Sequence, residues 1–420
     1  MMLAEILSRY MRLLAPGYFK LESPVREKIR LQPETGKNYS LYIHIPFCTR
    51  LCSYCSFYKE LYDAGEAATY FDALVREIKL YRELGFTFNT IYIGGGTPTL
   101  LAGELAGLLE TLQTVWPVTR ISMETNPDHL TEKTVSLLKQ AGVQRLSVGI
   151  QSFNDALLGR VNRTGNHTCR EEITEKLLHF KQVFPVMNID MIFNFPGQDE
   201  ALLLEDLEQV LKIKTGQVTY YPLMLSGKKR REFEKQHGVI DYRKEYGFYR
   251  LITRALEKEY HRATVWCFTR DKQMIDEYIV EQEEYIGVGA GAFSYLKGRV
   301  LANVFSVPGY IKSINQQGIT PAASRTYNHK QQLRYYFLFR LFGDQLPLDQ
   351  MKKQFGNYLP HLWKEFCFFL LSGSAYIQDK QLCLTEKGRY FLVALMREFF
   401  NAVNLFREKL VTLARNSESG

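Results

Sequence analysis

A chain of 420 residues, 46% hydrophobic and 13% aromatic, has the composition of a globular protein with a sizeable core and the length for one large domain plus a smaller one. Its net charge of +8 is modest for that length, so it admits acidic ligands without calling for nucleic acid. No charge-free run of about 18 apolar residues is present, which argues against an integral membrane segment. Seven cysteines, behind an N-terminus without the basic, apolar and small-residue regions of a signal peptide, predict a reducing, cytoplasmic location.

Residues 1–39 read as an N-terminal helical extension. From 40 to 222, short apolar runs alternate with amphipathic stretches, the pattern of repeated strand-helix units on a parallel sheet. Strands are predicted at 40–45, 90–94, 120–125, 145–150, 186–193 and 217–221. Helices are predicted at 67–84, 103–115, 131–140, 155–161, 170–182 and 201–213. Thr131 and Asn154 are suited to cap the first turns that follow them. The fold class is therefore α/β, with six units making a partial TIM-type (β/α)6 barrel. Reacting groups in such barrels gather at the C-terminal ends of the strands.

From 223 to 322 the pattern loosens into an accessory α/β region placed to cover a substrate. A long polar helix is predicted over 228–260, then short strands within 264–269, 284–295 and 300–307. The glycines at 287, 289 and 291 suit either close approach to a ligand or a tight turn at a sheet edge. The run Lys228-Lys229-Arg230-Arg231 reads as a solvated face. Residues 323–410 carry helices, a two-stranded wing and a further helix, a C-terminal helical domain of winged-helix type. It has no basic stripe, so packing or lid duty is expected rather than DNA binding. Residues 411–420 read as a disordered tail.

The chemistry concentrates in YIHIPFCTRLCSYCSF, which follows the first strand. Cys48, Cys52 and Cys55, separated by three and then two residues, suit three corners of a 4Fe-4S cube and leave the fourth iron open to a small ligand. Zinc sites pair C-x-x-C with a second pair of ligands, and none follows here. Cys169, Cys267, Cys367 and Cys383 are scattered and are expected to be buried and inert.

Other polar groups fall at the same strand ends. Gly94, Gly95, Gly96 and Thr97 follow the second strand, where bare backbone suits a ligand's amino group; the loop lacks the Lys-Ser/Thr ending of a phosphate cradle. Glu124 and Asp190 are placed to accept from ribose hydroxyls or an ammonium. Gln151 and Arg163 suit a ribose and a carboxylate. Singly, each reads as a cap, an ion pair or a solvated side chain, and their joint placement after successive strands makes them a site.

The cysteine segment resembles the radical S-adenosylmethionine signature. Together with GGGTPT, ETNP, SVGIQSF, VNR and NIDMIFNFPGQ it is similar to the oxygen-independent coproporphyrinogen III oxidase family, which includes haem chaperones and anaerobic haem-degrading enzymes. The resemblance runs from about residue 40 to 320, and the C-terminal segment is similar to the family's winged-helix region. It implies that Cys48, Cys52 and Cys55 hold a 4Fe-4S cluster and that S-adenosyl-L-methionine chelates its open iron. It also implies that Tyr42 contacts the sulfonium end, that Tyr54 lies by the adenine, and that Gly94 to Thr97 receive the methionyl amine. Glu124, Gln151, Arg163 and Asp190 then hold the remainder.

The activity so implied is reductive cleavage of S-adenosylmethionine to a 5′-deoxyadenosyl radical acting on a porphyrin or haem-type tetrapyrrole, with a flavodoxin or ferredoxin as electron donor. The alternative is a cluster-containing haem chaperone that transfers haem without turnover; a third reading keeps the radical core but places the substrate outside tetrapyrroles. Two departures bear on the choice. Phe57 stands where the decarboxylating oxidases carry a further cysteine. The histidine-asparagine motif of the chaperones is not recognisable within 266–295.

Overall fold

The computed structural model describes residues 2–21, 31–163, 169–271, 283–319 and 321–418. Helix α1 (Met2–Tyr18) is followed by strand β1 (Tyr39–Ile45), by a cysteine loop pinned between the two-residue parallel strands β2 (Phe47–Cys48) and β3 (Glu60–Leu61), and by α2 (Ala64–Glu83). The units continue as β4 (Phe88–Gly95) with α3 (Ala102–Val115), and β5 (Arg120–Thr125) with α4 (Glu132–Gln140). Next come β6 (Arg145–Gln151) with α5 (Asp155–Arg160) and α6 (Arg170–Phe180), then β7 (Val186–Phe193) with α7 (Glu200–Ile213), and finally β8 (Gln217–Pro222).

All six expected strands are present within two residues of their anticipated limits. The helix starts follow from caps: Thr131 accepts from the Thr134 amide and Asn154 from the Leu157 amide, each satisfying a donor that the first turn leaves unpaired.

The stretch expected to be one long helix is two, α8 (Gly227–His237) and α9 (Tyr242–Leu256). Gly238, at φ +98°, breaks the run, and Asp241 caps the second helix by accepting from the Arg243 amide. Strands β9 (His261–Arg262) and β10 (Cys267–Thr269) then extend the β8 edge antiparallel. At the other edge β11 (Tyr285–Val288) pairs parallel with β1, and β12 (Phe293–Leu296) and β13 (Arg299–Ala302) follow antiparallel. After α10 (Val307–Gln317), β14 (Ala323–Thr326) completes one open sheet of twelve strands, seven of them parallel in a row. The accessory stretch thus widens the barrel sheet on both sides. Residues 272–282, central to the missing chaperone motif, lie outside the described residues, as do 22–30 of the N-terminal extension.

The C-terminal part comprises α11 (His329–Phe342), β15 (Gln345–Pro347), α12 (Leu348–Phe355), α13 (Leu359–Leu371), the hairpin β16 (Ala375–Gln378) and β17 (Gln381–Leu384), and α14 (Glu386–Glu418). The wing turns on Asp379 and Lys380, both at positive φ as a tight two-residue hairpin requires. A third strand, β15, also pairs with β17. The tail expected to be disordered from 411 is helical as far as Glu418; residues 419–420 lie outside the described residues.

Both faces of the sheet are covered. In β1 every residue but Tyr42 is buried, as befits parallel strands with layers on both sides. Helix α14 packs along α1, and Arg397 on α14 bonds to Glu245 of α9, to its neighbour Glu398 and to Ser8 of α1, binding three helices through one buried cation. Of the four scattered cysteines only Cys267 is buried; Cys169 is exposed just ahead of α6, and Cys367 and Cys383 are half-buried. No described helix is long and apolar enough to cross a membrane.

Candidate functional site

The cysteine loop leaves β1 at Pro46 and is held by its backbone. Glu60 N donates to Pro46 O at 2.8 Å, Tyr62 N to Cys48 O at 3.0 Å and Ser53 N to Val161 O at 3.3 Å. Lys59 Nζ donates to the carbonyls of Cys52 (3.1 Å) and Cys55 (3.3 Å), and Lys229 Nζ also reaches the Cys55 carbonyl. The basic run expected to be a solvated face therefore sends one lysine onto this loop, while Arg230 lies over the Tyr242 ring and pairs with Glu234. Burial works to raise the Cys55 thiol, but Lys59 and Lys229 bring it below its ordinary value; burial pushes Cys48 up to about 11.

The glycine turn meets this loop directly. Gly96 N donates to Ile45 O and Thr97 N to Phe47 O, both at 2.8 Å, and the Thr97 hydroxyl lies 3.7 Å from Cys48 Sγ. Glu124, at the end of β5, accepts from Tyr92 Oη at 2.8 Å and from Gly95 N at 3.0 Å. A Cβ on Gly94 would stand 2.8 Å from that carboxyl, so Gly94 makes room for Glu124. The Tyr42 hydroxyl is 2.8 Å from His44 Nδ1, and His44 Nε2 is 2.9 Å from the Tyr58 carbonyl. The carbonyl accepts only, so Nε2 carries the proton and Tyr42 donates to Nδ1. Burial lowers His44 to about 4 and keeps it neutral.

On the following strands, Gln151 sits at φ +70° beside a register shift between β6 and β7. Its side chain is buried, and its Oε1 has no hydrogen-bond partner. Arg163 donates from Nη2 to the Gly149 carbonyl and from Nη1 to Cys52 Sγ at 3.8 Å. Asp190 accepts from Ser147 Oγ at 2.7 Å and Asn188 Nδ2 at 2.8 Å. Tyr54 is buried edge-on to Phe195.

One cavity of about 400 Å³ joins these groups. The three cysteines, Tyr42, Tyr54, Gly95, Gly96, Thr97, Glu124, Gln151, Arg163 and Asp190 all line it; of the residues singled out in the sequence, Gly94 stands behind the wall. His44, Tyr92 and Lys59 also line it and were passed over. The signal for His44 and Tyr92 was strand alternation, which puts each on the inward face with Tyr42 or Glu124. The glycines at 287, 289 and 291 have a packing reason instead: a Cβ on them would meet Phe293 O at 2.1 Å, His44 O at 2.5 Å and the Tyr58 ring at 2.6 Å respectively. Only Gly291 of the three reaches the cavity, and β11 lies within the sheet rather than at its edge.

Residues 42–210 match the model of the radical SAM superfamily. The chain is 32% identical over 290 residues to the haem chaperone HemW of Lactococcus lactis, covering 66% of this chain and 75% of that protein. It is 25% identical over 414 residues to the anaerobilin synthase of Escherichia coli O157:H7, covering 90% and 88%. Its fold matches coproporphyrinogen III oxidase (HemN) of Escherichia coli with a TM-score of 0.72 at 22% identity, over 86% of this chain and 90% of that one.

Proteins of this superfamily bind a 4Fe-4S cluster and S-adenosylmethionine, which together supply an electron and a carbon-centred radical. The residues present fit that pair. Three thiols and Lys59 border one cavity, and an unpartnered buried amide oxygen, that of Gln151, borders it too. Among the described residues no three His, Cys, Asp or Glu side chains gather around a single ion; thiolates that each hold a separate iron of a cube stand farther apart than ligands of one ion. The chain belongs to the radical SAM superfamily, in the family that unites the haem chaperones with the oxygen-independent coproporphyrinogen III oxidases.

Proposed function

We propose that this chain holds a haem-type tetrapyrrole beside a cluster and S-adenosylmethionine, and that it carries haem to acceptor proteins. The observation that carries this reading is the 32% identity to a protein named a haem chaperone, over three quarters of that protein's length. Cys48, Cys52 and Cys55 hold the cluster in this reading. Tyr42, Tyr54, Gly95, Gly96, Thr97, Glu124, Gln151, Arg163 and Asp190 hold S-adenosylmethionine, with Gly94 acting through Glu124. Arg163 orients the Cys52 loop while Glu124 is kept in place by Tyr92 and the Gly95 amide. Residues 40–222 form the core, and 223–322 with the C-terminal region cover the ligand.

A second reading, turnover of the tetrapyrrole, is favoured by one observation: the cysteines, Gln151 and the aromatic chamber beyond them share a single cavity, which transfer of a hydrogen atom needs and carriage alone does not. One experiment separates the two. Anaerobically reconstituted protein, reduced with dithionite, is given S-adenosylmethionine with haem, with coproporphyrinogen or alone, and 5′-deoxyadenosine and tetrapyrrole masses are measured. Haem that stays bound, unchanged in mass, and passes to an apo-acceptor is the result expected of a carrier. Deoxyadenosine that rises only with a tetrapyrrole whose mass changes would establish the enzyme instead.

A further inference from the structure

Past the cysteine loop the cavity opens into a chamber walled by rings: Tyr221, Trp266 and Phe293 on the sheet side, Tyr335 and Phe339 on α11, and Phe399 on α14. Such walls suit the faces of a flat conjugated ligand. A macrocycle held only by its faces can rotate in its own plane, so its orientation needs a polar group at the rim.

Arg407 of α14 lines the same cavity. Its guanidinium lies 5.0 Å from the centre of the Phe57 ring and 5.7 Å from that of Phe293, and Nη1 donates to Asn404 Oδ1 at 2.9 Å. Phe57 lies two residues beyond Cys55, so this contact fixes a cation of the last helix beside the cysteine loop. Lys59 holds the Cys52 and Cys55 carbonyls and Arg163 the Gly149 carbonyl, Arg50 lines the cavity within the cysteine loop, and Arg407 is the cation that the last helix brings to the rings. A guanidinium seated on rings is the side chain best shaped to grip a carboxylate with two parallel N–H bonds.

We infer that Arg407 is the acid anchor of the chamber: it binds a carboxylate on the edge of the flat ligand, and Phe57 is the platform that sets this anchor beside the cysteine loop. The inference rests on the tetrapyrrole reading above. It makes Arg407 a specificity-determining residue that selects macrocycles bearing free acid side chains and presents their acid edge towards the cysteines.

The test is a spectrophotometric titration of the reconstituted 420-residue chain with haem and with haem dimethyl ester, whose carboxylates are blocked. Wild type is expected to bind haem about tenfold or more tighter than the ester, the scale of a charge-assisted bidentate contact. Arg407→Gln is expected to lose that advantage on haem and leave ester affinity unchanged, with Arg407→Lys in between. Circular dichroism and cluster absorbance check that the variants are folded. Equal weakening towards both ligands would reduce Arg407 to wall packing, and wild type that binds both equally well would overturn the anchor while leaving the tetrapyrrole reading intact. Wild type that binds neither macrocycle overturns that reading and the anchor with it.

Discussion

A Cβ on Gly96 would stand 2.5 Å from the carbonyl oxygen of Phe47, so the glycine turn and the strand entering the cysteine loop meet backbone against backbone. The Ile45 and Phe47 carbonyls take the Gly96 and Thr97 amides across this contact. Gly96→Ala must push Phe47, and Cys48 after it, away from β4. The expected outcome is a lower thermal midpoint and less than half the wild-type iron per chain after reconstitution. Gly107, in α3 with nothing near its Cβ position, is the control: Gly107→Ala should be neutral or stabilising by about 0.5–1 kcal/mol. Full iron loading in Gly96→Ala would show that the turn and the cysteine loop are not coupled.

Lys229 reaches the Cys55 carbonyl across 174 residues of sequence. Together with Lys59 it places two positive charges on the loop that would hold an anionic cluster. Cluster potentials respond to net charge and to nearby dipoles. Lys229→Met is expected to shift the cluster's midpoint to more negative values, on the order of tens of millivolts, read by electron paramagnetic resonance during a redox titration. A potential identical to wild type would mean that this lysine only braces the loop.

What the sequence made legible follows from the range of the forces involved. The six strands and their helices rest on local periodicity and on caps such as Thr131 and Asn154, and their limits came out close. The contact of Lys229 with Cys55 and that of Arg407 with Phe57 join residues far apart in the chain; no local pattern encodes them, so a basic run read as solvated and a C-terminal helix seemed remote from the chemistry. Strand β11 escaped notice as a barrel strand because its parallel partner β1 lies some 240 residues earlier. The break between α8 and α9 at Gly238 was visible as a glycine, but the surrounding charges continued the helical pattern through it.

Arg397 and Glu245 form a buried ion pair that ties α14 to α9, with Glu398 as a second carboxylate and the Tyr242 ring 4.3 Å from the guanidinium. Removing only the cation strands the Glu245 carboxylate out of water, while Glu398 keeps Arg12 at 3.5 Å. Arg397→Ala is expected to cost about 3–5 kcal/mol in denaturant unfolding. Replacing Arg397 and Glu245 together by Met and Leu should cost less than the single change, because the stranded charge goes too. A double variant as unstable as the single one would assign the loss to packing.

Glu77 of α2 is 1% exposed and accepts from Gly289 N at 2.8 Å, Tyr310 Oη at 2.7 Å and Asn303 Nδ2 at 3.2 Å. It thereby fixes Gly289, at φ +94°, against the His44 carbonyl behind the cysteine loop. Burial raises its carboxyl to about 7 against the pull of those three donors. In the unfolded chain the same group loses its proton near 4.5, so between these values the folded state binds the extra proton. The contribution of Glu77 to stability is therefore whole below about pH 4.5, falls as pH rises towards 7, and is level above it. The total change is on the order of 3 kcal/mol. Unfolding free energies of wild type and Glu77→Gln, measured from pH 4.5 to 7.5, cancel the titrations common to both. Their difference, wild type minus variant, should decline across this window, and a difference that stays flat would mean that Glu77 is ionised in the folded protein throughout.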